Sequence, residues 1–137
     1  MEPNTHLAIA ARLCGTPRAL REGSAEVELT TSEDMRADER GLVHGGFVFG
    51  LADYAAMLAI NAPNVVLGSA ETRFLAPVVV GETLLAVARV ASTDGKKHHV
   101  DVQVSRGLDR VFEGSFVCFV PSKHVLEAAA RKVGERS

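Results

Sequence analysis

Two glycines and one acid stand out in the stretch from Gly41 to Asn61, GLVHGGFVFGLADYAAMLAIN. Gly45 and Gly46 fall where a charged loop gives way to an apolar helical run, so their backbone N–H groups have no acceptor within the helix. These groups also lie at the positive end of the helix dipole. Because glycine has no side chain to hold a ligand away, the pair could bind an oxyanion during acyl transfer. A tight turn that needs glycine for its conformation is the alternative interpretation.

The acid is Asp53, the only side chain with a carboxylate or an ammonium group between Gly45 and Asn61. Burying an unpaired carboxylate in such apolar surroundings costs on the order of several kcal/mol, unless it has partners, an open pocket or a raised pKa. A functional site meets that requirement. The alternative is a helix Asp bonded to a neighbouring backbone group at a subunit contact.

The spacing of Gly45 and Asp53 has a consequence for the assembly. The eight-residue separation corresponds to about 12 Å along a helix, whereas groups that act on one carbonyl lie about 3 Å from it. One chain therefore cannot apply both to the same carbonyl. Two antiparallel copies of the helix about a two-fold axis would bring Gly45 of one chain to Asp53 of the other. The spacing predicts a homodimer with two equivalent composite sites.

The elements that must position these residues follow from hydropathy periodicity. Within the N-terminal part, residues 1–15, the pattern predicts a short amphipathic helix over 3–13, and alternation over 19–31 predicts a first strand. The run that begins at Gly45 predicts a buried helix of about four turns, because apolar residues surround it on all sides. Four segments rich in β-branched residues follow, at 65–78, 83–93, 96–106 and 110–120. Residues 122–137 form a terminal helix, predicted over 123–133, or a frayed tail.

These elements define a fold class. The last three strands are joined by short turns and should form an antiparallel meander. A buried helix beside such a run of strands is accommodated when the sheet curls around it, which is an α+β arrangement. At 137 residues with 47% hydrophobic content, the chain is predicted to form a single domain over 1–137.

Charge and composition exclude several classes of partner. Fifteen basic against seventeen acidic residues, with no basic stripe, argue against nucleic acid. No run approaches the roughly 20 apolar residues of a membrane span, and no signal peptide is evident, so we expect a cytoplasmic protein. Cys14 and Cys118 match no CxxC spacing and are interpreted as buried thiols in a reducing compartment. His98 and His99 point to opposite faces of a strand, and no metal site is predicted.

The sequence HGGFVFGLAD followed by ETRFLAPVVVGETLLAVARV resembles the hotdog-fold acyl-CoA thioesterases, especially the phenylacetic-acid-pathway (PaaI-like) type. The resemblance runs from about Ala19 to Val120, and its most specific part is His44-Gly45-Gly46 followed at fixed spacing by Leu51-Ala52-Asp53. It implies a curved antiparallel sheet wrapped around a central helix and hydrolysis of an acyl-CoA thioester to free CoA and a carboxylic acid. No cofactor is implied, since CoA is part of the substrate. Composite sites at a dimer interface are also implied, with dimers often paired into tetramers.

The resemblance also implies roles for individual residues. The acid that corresponds to Asp53 acts as the nucleophile or as the general base that activates water, and the sequence leaves both routes open. His44, from its position before the helix and not from the resemblance, is interpreted first as a structural residue that hydrogen-bonds the loop and second as a candidate to orient the substrate carbonyl. Asp38 is a departure, because many relatives have Asn or Gln six residues before the His, where the amide helps to hold the thioester or the water. A carboxylate donates a hydrogen bond only when protonated, so Glu39 or another group could take the role of that amide. Asp38 is kept as a candidate for substrate binding, with a solvated loop acid as the alternative.

The remaining candidates for substrate binding lie along the helix and the strands. Ser69 falls in a region where some relatives present a hydroxyl to the reaction centre. The packing of four helix residues between subunits should set the pocket depth: Phe47, Phe49, Tyr54 and Met57. Three basic residues near strand ends are candidates for the nucleotide end of CoA, with solvated edge charges as the alternative: Lys96, Lys97 and Arg106.

Two other functions are alternatives to thioester hydrolysis. Hotdog dehydratases and hydratases use a His paired with a distant acid in motifs that this sequence lacks. A non-catalytic acyl-CoA-binding module, such as a ligand sensor, would have the same pocket without turnover. Because no DNA-binding helical extension precedes the domain, we do not expect a self-contained transcription sensor.

Overall fold

The computed structural model describes residues 1–129. The helices are α1 (Ala11–Cys14) and α2 (Gly45–Ile60), with a 3-10 turn at Glu33–Met35. The strands are β1 (Thr16–Arg21), β2 (Ser24–Thr30), β3 (Val66–Phe74), β4 (Thr83–Asp94), β5 (Lys97–Arg106) and β6 (Asp109–Phe119). The strands form one six-stranded antiparallel sheet that packs against α2. The predicted hotdog arrangement is confirmed.

The strand order is β1-β2-β4-β5-β6-β3, so β3 lies at one edge of the sheet beside β6. The predicted meander of β4, β5 and β6 is confirmed. Every second side chain is buried along part of β4 and β5, for example Val100, Val102 and Val104 on β5. This two-residue period places one face of the sheet on α2 and leaves the other face in solvent.

Helix α2 is enclosed by the sheet, as its composition predicts. Nine of its sixteen residues are buried, and four of these are alanines that let the helix and the sheet approach closely. The helix ends at Asn61, which adopts the left-handed conformation (φ +56°) and donates its N–H to Met57 O at 2.8 Å. This left-handed ending is a common helix stop.

The N-terminal helix is shorter than predicted. Only Ala11–Cys14 is helical, while the expectation covered residues 3–13. The preceding residues instead pack along the end of α2, where Asn4 N–H donates to Asn61 Oδ1 at 2.7 Å. In return, Asn61 Nδ2 donates to Glu2 O at 3.0 Å. Tertiary hydrogen bonds have replaced helical ones in this segment.

The predicted first strand is in fact two strands. Residues 19–31 were expected to form one strand, but β1 and β2 pair as an antiparallel hairpin. The hairpin turns at Glu22-Gly23, and Gly23 has φ +79°, a conformation that glycine adopts without strain. The alternation continued across the turn, so the period alone did not reveal it.

The C-terminal prediction is only partly covered by the structure. Residues 125–129 are helical, and the rest of the predicted helix or tail, 130–137, lies outside the described residues. In the part of the chain that the structure covers, every helix is too short or too polar to cross a membrane.

Candidate functional site

The two glycine amides at the start of α2 are free. His44 occupies the N-cap position without a side-chain cap, and its carbonyl accepts the N–H of Phe47 at 3.1 Å. Within residues 1–129, the N–H groups of Gly45 and Gly46 donate to no acceptor. Gly46 is exposed and Gly45 is half-buried. Both amides are therefore available to a ligand.

Gly45 opens onto an apolar groove of about 280 Å³. The side chains that line the groove are all apolar and include Leu42, Val48, Phe74, Leu75, Pro77 and Val111. A Cβ atom added at Gly45 would lie 3.1 Å from Phe74 Cε1, and one at Gly46 would lie 3.2 Å from His44 Nε2. Any side chain at either position would crowd the approach to the amides.

Asp53 lies about two turns further along α2, in a second cavity of about 340 Å³. Its Oδ1 is buried and has no hydrogen-bond partner among the described residues. Burial raises the pKa of this carboxyl to about 6. Within the protomer, the alternative of a hydrogen bond to a neighbouring backbone group is not observed. The residue lines the cavity, so a ligand or water bound there would be the nearest means of offsetting the cost of this buried charge.

The wall of the Asp53 cavity comes from four parts of the chain. Met57 continues the face of α2, residues 63–67 lead into β3, and Thr5, His6 and His124 add polar groups from the two ends of the described chain. Sequence reasoning missed Thr5, His6 and His124, because no periodicity or motif relates them to residue 53. Tyr54 is buried, with its ring centroid 6.3 Å from that of His6.

Gly45 and Asp53 line different cavities of the same protomer. This separation agrees with the helical rise, which places the two residues about 12 Å apart. One protomer therefore presents the amides in one cavity and the carboxylate in the other.

His44 and Phe47 lie together at the exposed start of α2. Their rings meet edge to face, with centroids 6.2 Å apart. His44 is exposed, and its ring makes no hydrogen bond to the described residues. The predicted ring hydrogen bond to the loop is thus not observed. Phe49 packs instead into the interior, against Phe116.

Asp38 shapes the loop before α2. Its Oδ1 accepts the N–H of Arg40 at 3.0 Å and that of Leu42 at 3.1 Å. Gly41, inside this turn, has φ +82°. In the protomer the carboxylate is thus used as an acceptor that holds the loop, which in turn places His44 at the helix start.

Of the binding residues predicted on the strands, the two lysines lie at the Asp53 end of the sheet, whereas Ser69 lies outside both cavities. Ser69 is exposed on β3, just after an irregularity at Gly68, and lines neither cavity. Lys96 and Lys97 are exposed at the β4–β5 turn. Across the sheet, Lys97 of β5 pairs with Phe119 of β6, and Phe119 pairs in turn with Val66 of β3. Val66 lines the Asp53 cavity. The two lysines therefore lie at the same end of the sheet as Asp53.

Arg106 has a structural use that the sequence did not show. Its Nη1 donates to Pro77 O at 2.8 Å and to Glu82 Oε1 at 3.2 Å, so it joins the end of β5 to the loop before β4. Its side chain is 27% exposed. Charge-assisted hydrogen bonds of this kind contribute more than surface ion pairs.

We expect Arg106→Gln to lower the unfolding free energy by about 1–2 kcal/mol, because both acceptors lose a charged donor. Urea denaturation measures the change. Lys97→Gln is the matched control and should stay within about 0.5 kcal/mol of the wild type, since Lys97 is exposed. An unchanged unfolding midpoint for Arg106→Gln would show that these contacts do not stabilise the fold.

The histidines and cysteines outside the site do not assemble into a cluster. His98 Nδ1 lies 3.0 Å from Thr93 Oγ1. In residues 1–129, no three His, Cys, Asp or Glu side chains are grouped so that they could hold a metal ion. Both thiols are free, and burial raises the pKa of Cys118 to about 12.

Two solved structures are similar to this chain in both fold and sequence. The uncharacterized protein PH1136 from Pyrococcus horikoshii is 55% identical with a TM-score of 0.91, and the match covers 92% of this chain and 97% of that one. PaaI, from the phenylacetic acid degradation operon of E. coli, is 26% identical with a TM-score of 0.70, over 76% of this chain and 81% of PaaI.

Two curated relatives are longer proteins. The chain is 53% identical over 116 residues to methylthioribose-1-phosphate isomerase of Aquifex aeolicus, which is 85% of this chain and 25% of the isomerase. It is 33% identical over 86 residues to transcription factor FapR of Caldanaerobacter subterraneus, which is 63% of this chain and 43% of FapR. The chain thus spans a quarter of the first relative and under half of the second.

A family model supplies the assignment. The model of the thioesterase superfamily matches residues 40–113, which include the glycine amides, Asp53 and the strands β3, β4 and β5. The matched segment is more than half of the chain. With its hotdog fold and its similarity to PaaI, the protein belongs to the thioesterase superfamily.

Proposed function

We propose that the protein hydrolyses an acyl-CoA thioester to free CoA and a carboxylic acid. Asp53 attacks the carbonyl carbon or activates the attacking water, and the N–H groups of Gly45 and Gly46 from a partner subunit bind the oxyanion. One observation carries the proposal: Asp53 lines a cavity and keeps a buried carboxylate oxygen without a partner among the described residues, on a helix whose first two amides are free.

The state of Asp53 suits this chemistry. With a pKa of about 6, the carboxyl is ionised at neutral pH, yet it is a stronger base than an ordinary Asp. The raised pKa results from desolvation, which also strengthens electrostatic interactions between the site and a developing oxyanion.

A homodimer would complete the site. Four apolar residues around the Gly45 groove are more than a third exposed: Leu42, Phe74, Leu75 and Val79. The outer edge of β3 has no strand partner among the described residues. Exposed apolar clusters and open strand edges are typical of protein interfaces. A second copy that covers this surface could bring its Gly45 towards Asp53.

The nucleotide of CoA would bind near Lys96 and Lys97. Both are exposed at the Asp53 end of the sheet and make no ion pair within residues 1–129. Arg106, by contrast, is already engaged by Pro77 and Glu82. The two lysines are therefore the better candidates for the phosphate groups.

The alternative function is acyl-CoA binding without turnover. The similarity to FapR favours it, because that protein, named as a transcription factor, is 33% identical to this chain over 86 residues. The free carboxylate of Asp53 favours hydrolysis instead, since a binding module has no need of a desolvated base.

The experiment that decides between the two measures release of free CoA from a panel of short, medium, long and aryl acyl-CoAs. Isothermal titration with a non-hydrolysable acyl-CoA thioether measures binding in parallel. We expect catalytic release with at least one substrate class. Tight binding with no release across the panel would overturn the hydrolase proposal and support the binding module.

A further inference from the structure

The wall of the Asp53 cavity contains a histidine held in an unusual conformation. His6 has φ +54°, and only two non-glycine residues among those described have a positive φ. For a residue other than glycine this conformation costs on the order of 1–3 kcal/mol and persists only where surrounding contacts enforce it. Ile9 N–H donates to His6 O at 3.1 Å, and Asn61 holds the neighbouring Asn4. The conformation is thus held by a local turn to Ile9 and, through the neighbouring Asn4, by the end of the helix that carries Asp53.

The ring of His6 is also fixed. Thr5 is only 3% exposed, and its Oγ1 lies 2.8 Å from His6 Nδ1. On the other side the ring faces Tyr54, the residue that follows Asp53. Nε2 makes no hydrogen bond to the described residues, and His6 lines the same cavity as Asp53. One nitrogen is anchored while the other remains free for a ligand, which is how a base held by an orienting partner is arranged.

We propose that His6 is a further catalytic residue of this site, which carries the proton of the attacking water from Asp53 to the sulfur of the departing CoA. The inference rests on the proposed thioesterase function and selects the route in which Asp53 is the general base. This role requires the tautomer in which Nδ1 carries the proton and donates it to Thr5 Oγ1, so that Nε2 holds the lone pair that receives the transferred proton.

The reaction consumes one water, and atoms and charge are conserved at each transfer. The water oxygen bonds to the carbonyl carbon while its proton passes to Asp53, and the C–S bond then breaks with its electron pair on sulfur. The proton moves from Asp53 to Nε2, directly or through a cavity water, and from the imidazolium to the sulfur. The products are the carboxylic acid and the CoA thiol, and both side chains return to their starting states.

The surroundings keep the imidazole in the form that can accept a proton. Burial lowers the pKa of His6, so the ring is neutral at neutral pH. Burial also raises the pKa of Tyr54 and Cys14, so both stay protonated. Burial raises the pKa of Cys118 as well, so that thiol is also protonated. Among these side chains, Asp53 is the one that is ionised at neutral pH. The other histidine of the cavity, His124, already accepts the N–H of Leu126 at Nδ1.

The test uses the full chain with the acyl-CoA that turns over best. His6→Asn is the chosen variant because Asn tolerates the left-handed conformation and its amide can replace Nδ1 beside Thr5. It lacks Nε2, so we expect kcat to fall about 10²-fold with KM within about twofold of the wild type. His6→Gly opens space for free imidazole, which should restore much of the lost rate. His99→Asn, at an exposed position of β5, is the matched control and should keep the wild-type rate.

The outcomes separate the two proposals. An unchanged kcat in His6→Asn, in a wild-type background that hydrolyses acyl-CoA and needs Asp53, would overturn the role of His6 alone. A lower kcat accompanied by a lower melting temperature, with no rescue of His6→Gly by imidazole, would also overturn it and leave His6 with a structural role. Absence of turnover in the wild type would instead reject the thioesterase function and this inference with it.

Discussion

Replacing Asp53 with Asn is expected to lower kcat for acyl-CoA hydrolysis by about 10²–10⁴-fold, since an amide can neither attack the carbonyl nor accept a proton from water. The substitution keeps the size and shape of the side chain, so KM should change little. Release of free CoA measures the effect. Asp101→Asn, an exposed change of the same chemistry on β5, should keep the wild-type rate. An Asp53→Asn protein with wild-type turnover would remove Asp53 from the mechanism.

The same variant should be more stable than the wild type at pH 8. The folded-state pKa of Asp53 is raised from 3.8 to about 6, so the folded protein binds this proton more tightly than the unfolded chain does. The stability linked to the proton is complete below about pH 3.8 and is lost as the pH rises through about 6. At about 1.4 kcal/mol per pKa unit, ionised Asp53 costs the fold at most about 3 kcal/mol.

Urea denaturation at two pH values checks this linkage. We expect Asp53→Asn to exceed the wild type by up to about 2–3 kcal/mol at pH 8, where Asp53 is ionised, and by much less at about pH 4.5. Asp101→Asn again serves as the control and should show no such pH-dependent gain. A stability difference that does not change with pH would mean that Asp53 is not desolvated in the folded protein.

Two inactive variants are expected to regain activity when they share a dimer. Asp53→Asn removes the carboxylate, and Gly45→Val crowds the amides, because even its Cβ would lie 3.1 Å from Phe74 Cε1. In a mixed dimer, one composite site combines the intact Gly45 of the first chain with the intact Asp53 of the second. The other site carries both defects. With random pairing, about half of the dimers are mixed, so an equimolar mixture should recover about a quarter of the wild-type activity.

Co-expression with two affinity tags isolates the mixed dimers and makes the comparison direct. In the matched control, Asp53→Asn is paired with Asp53→Ala. Both chains then lack the carboxylate, so neither site is complete and the dimer should stay inactive. Sedimentation velocity verifies that each variant still dimerises. Recovered mixed dimers that remain inactive would show that the amides and the carboxylate do not act across subunits.

Much of the fold could be predicted from local sequence patterns. The apolar run after Gly45 predicted a buried helix, and nine of its sixteen residues are buried while the remaining seven are partly or fully exposed. The β-branched residues of β4, β5 and β6 and the short turns between them predicted the meander, which the pairing of these strands confirms. Asp53 was identified by the same logic, as the one charge in an apolar helix. These features depend on the hydropathy of neighbouring residues, which the sequence displays directly.

Long-range contacts decided the rest. The segment before α1 is non-helical because Asn61 offers hydrogen bonds to Asn4 and Glu2, more than fifty residues away along the chain. Arg106 is bound to Pro77 and Glu82 rather than left free. His6 likewise lines the Asp53 cavity because the hydrogen bonds to Asn61 hold the N-terminal segment against the end of α2.

The sequence by itself therefore determined the helix, the meander, and the glycines and acid that the helix carries, because short-range periodicity and the cost of burying a charge suffice for these. Only the tertiary structure decided which distant side chains surround that acid. The free energy of those contacts is shared between residues that no local pattern relates, so the proposed second acid–base group, His6, became visible only in the folded chain.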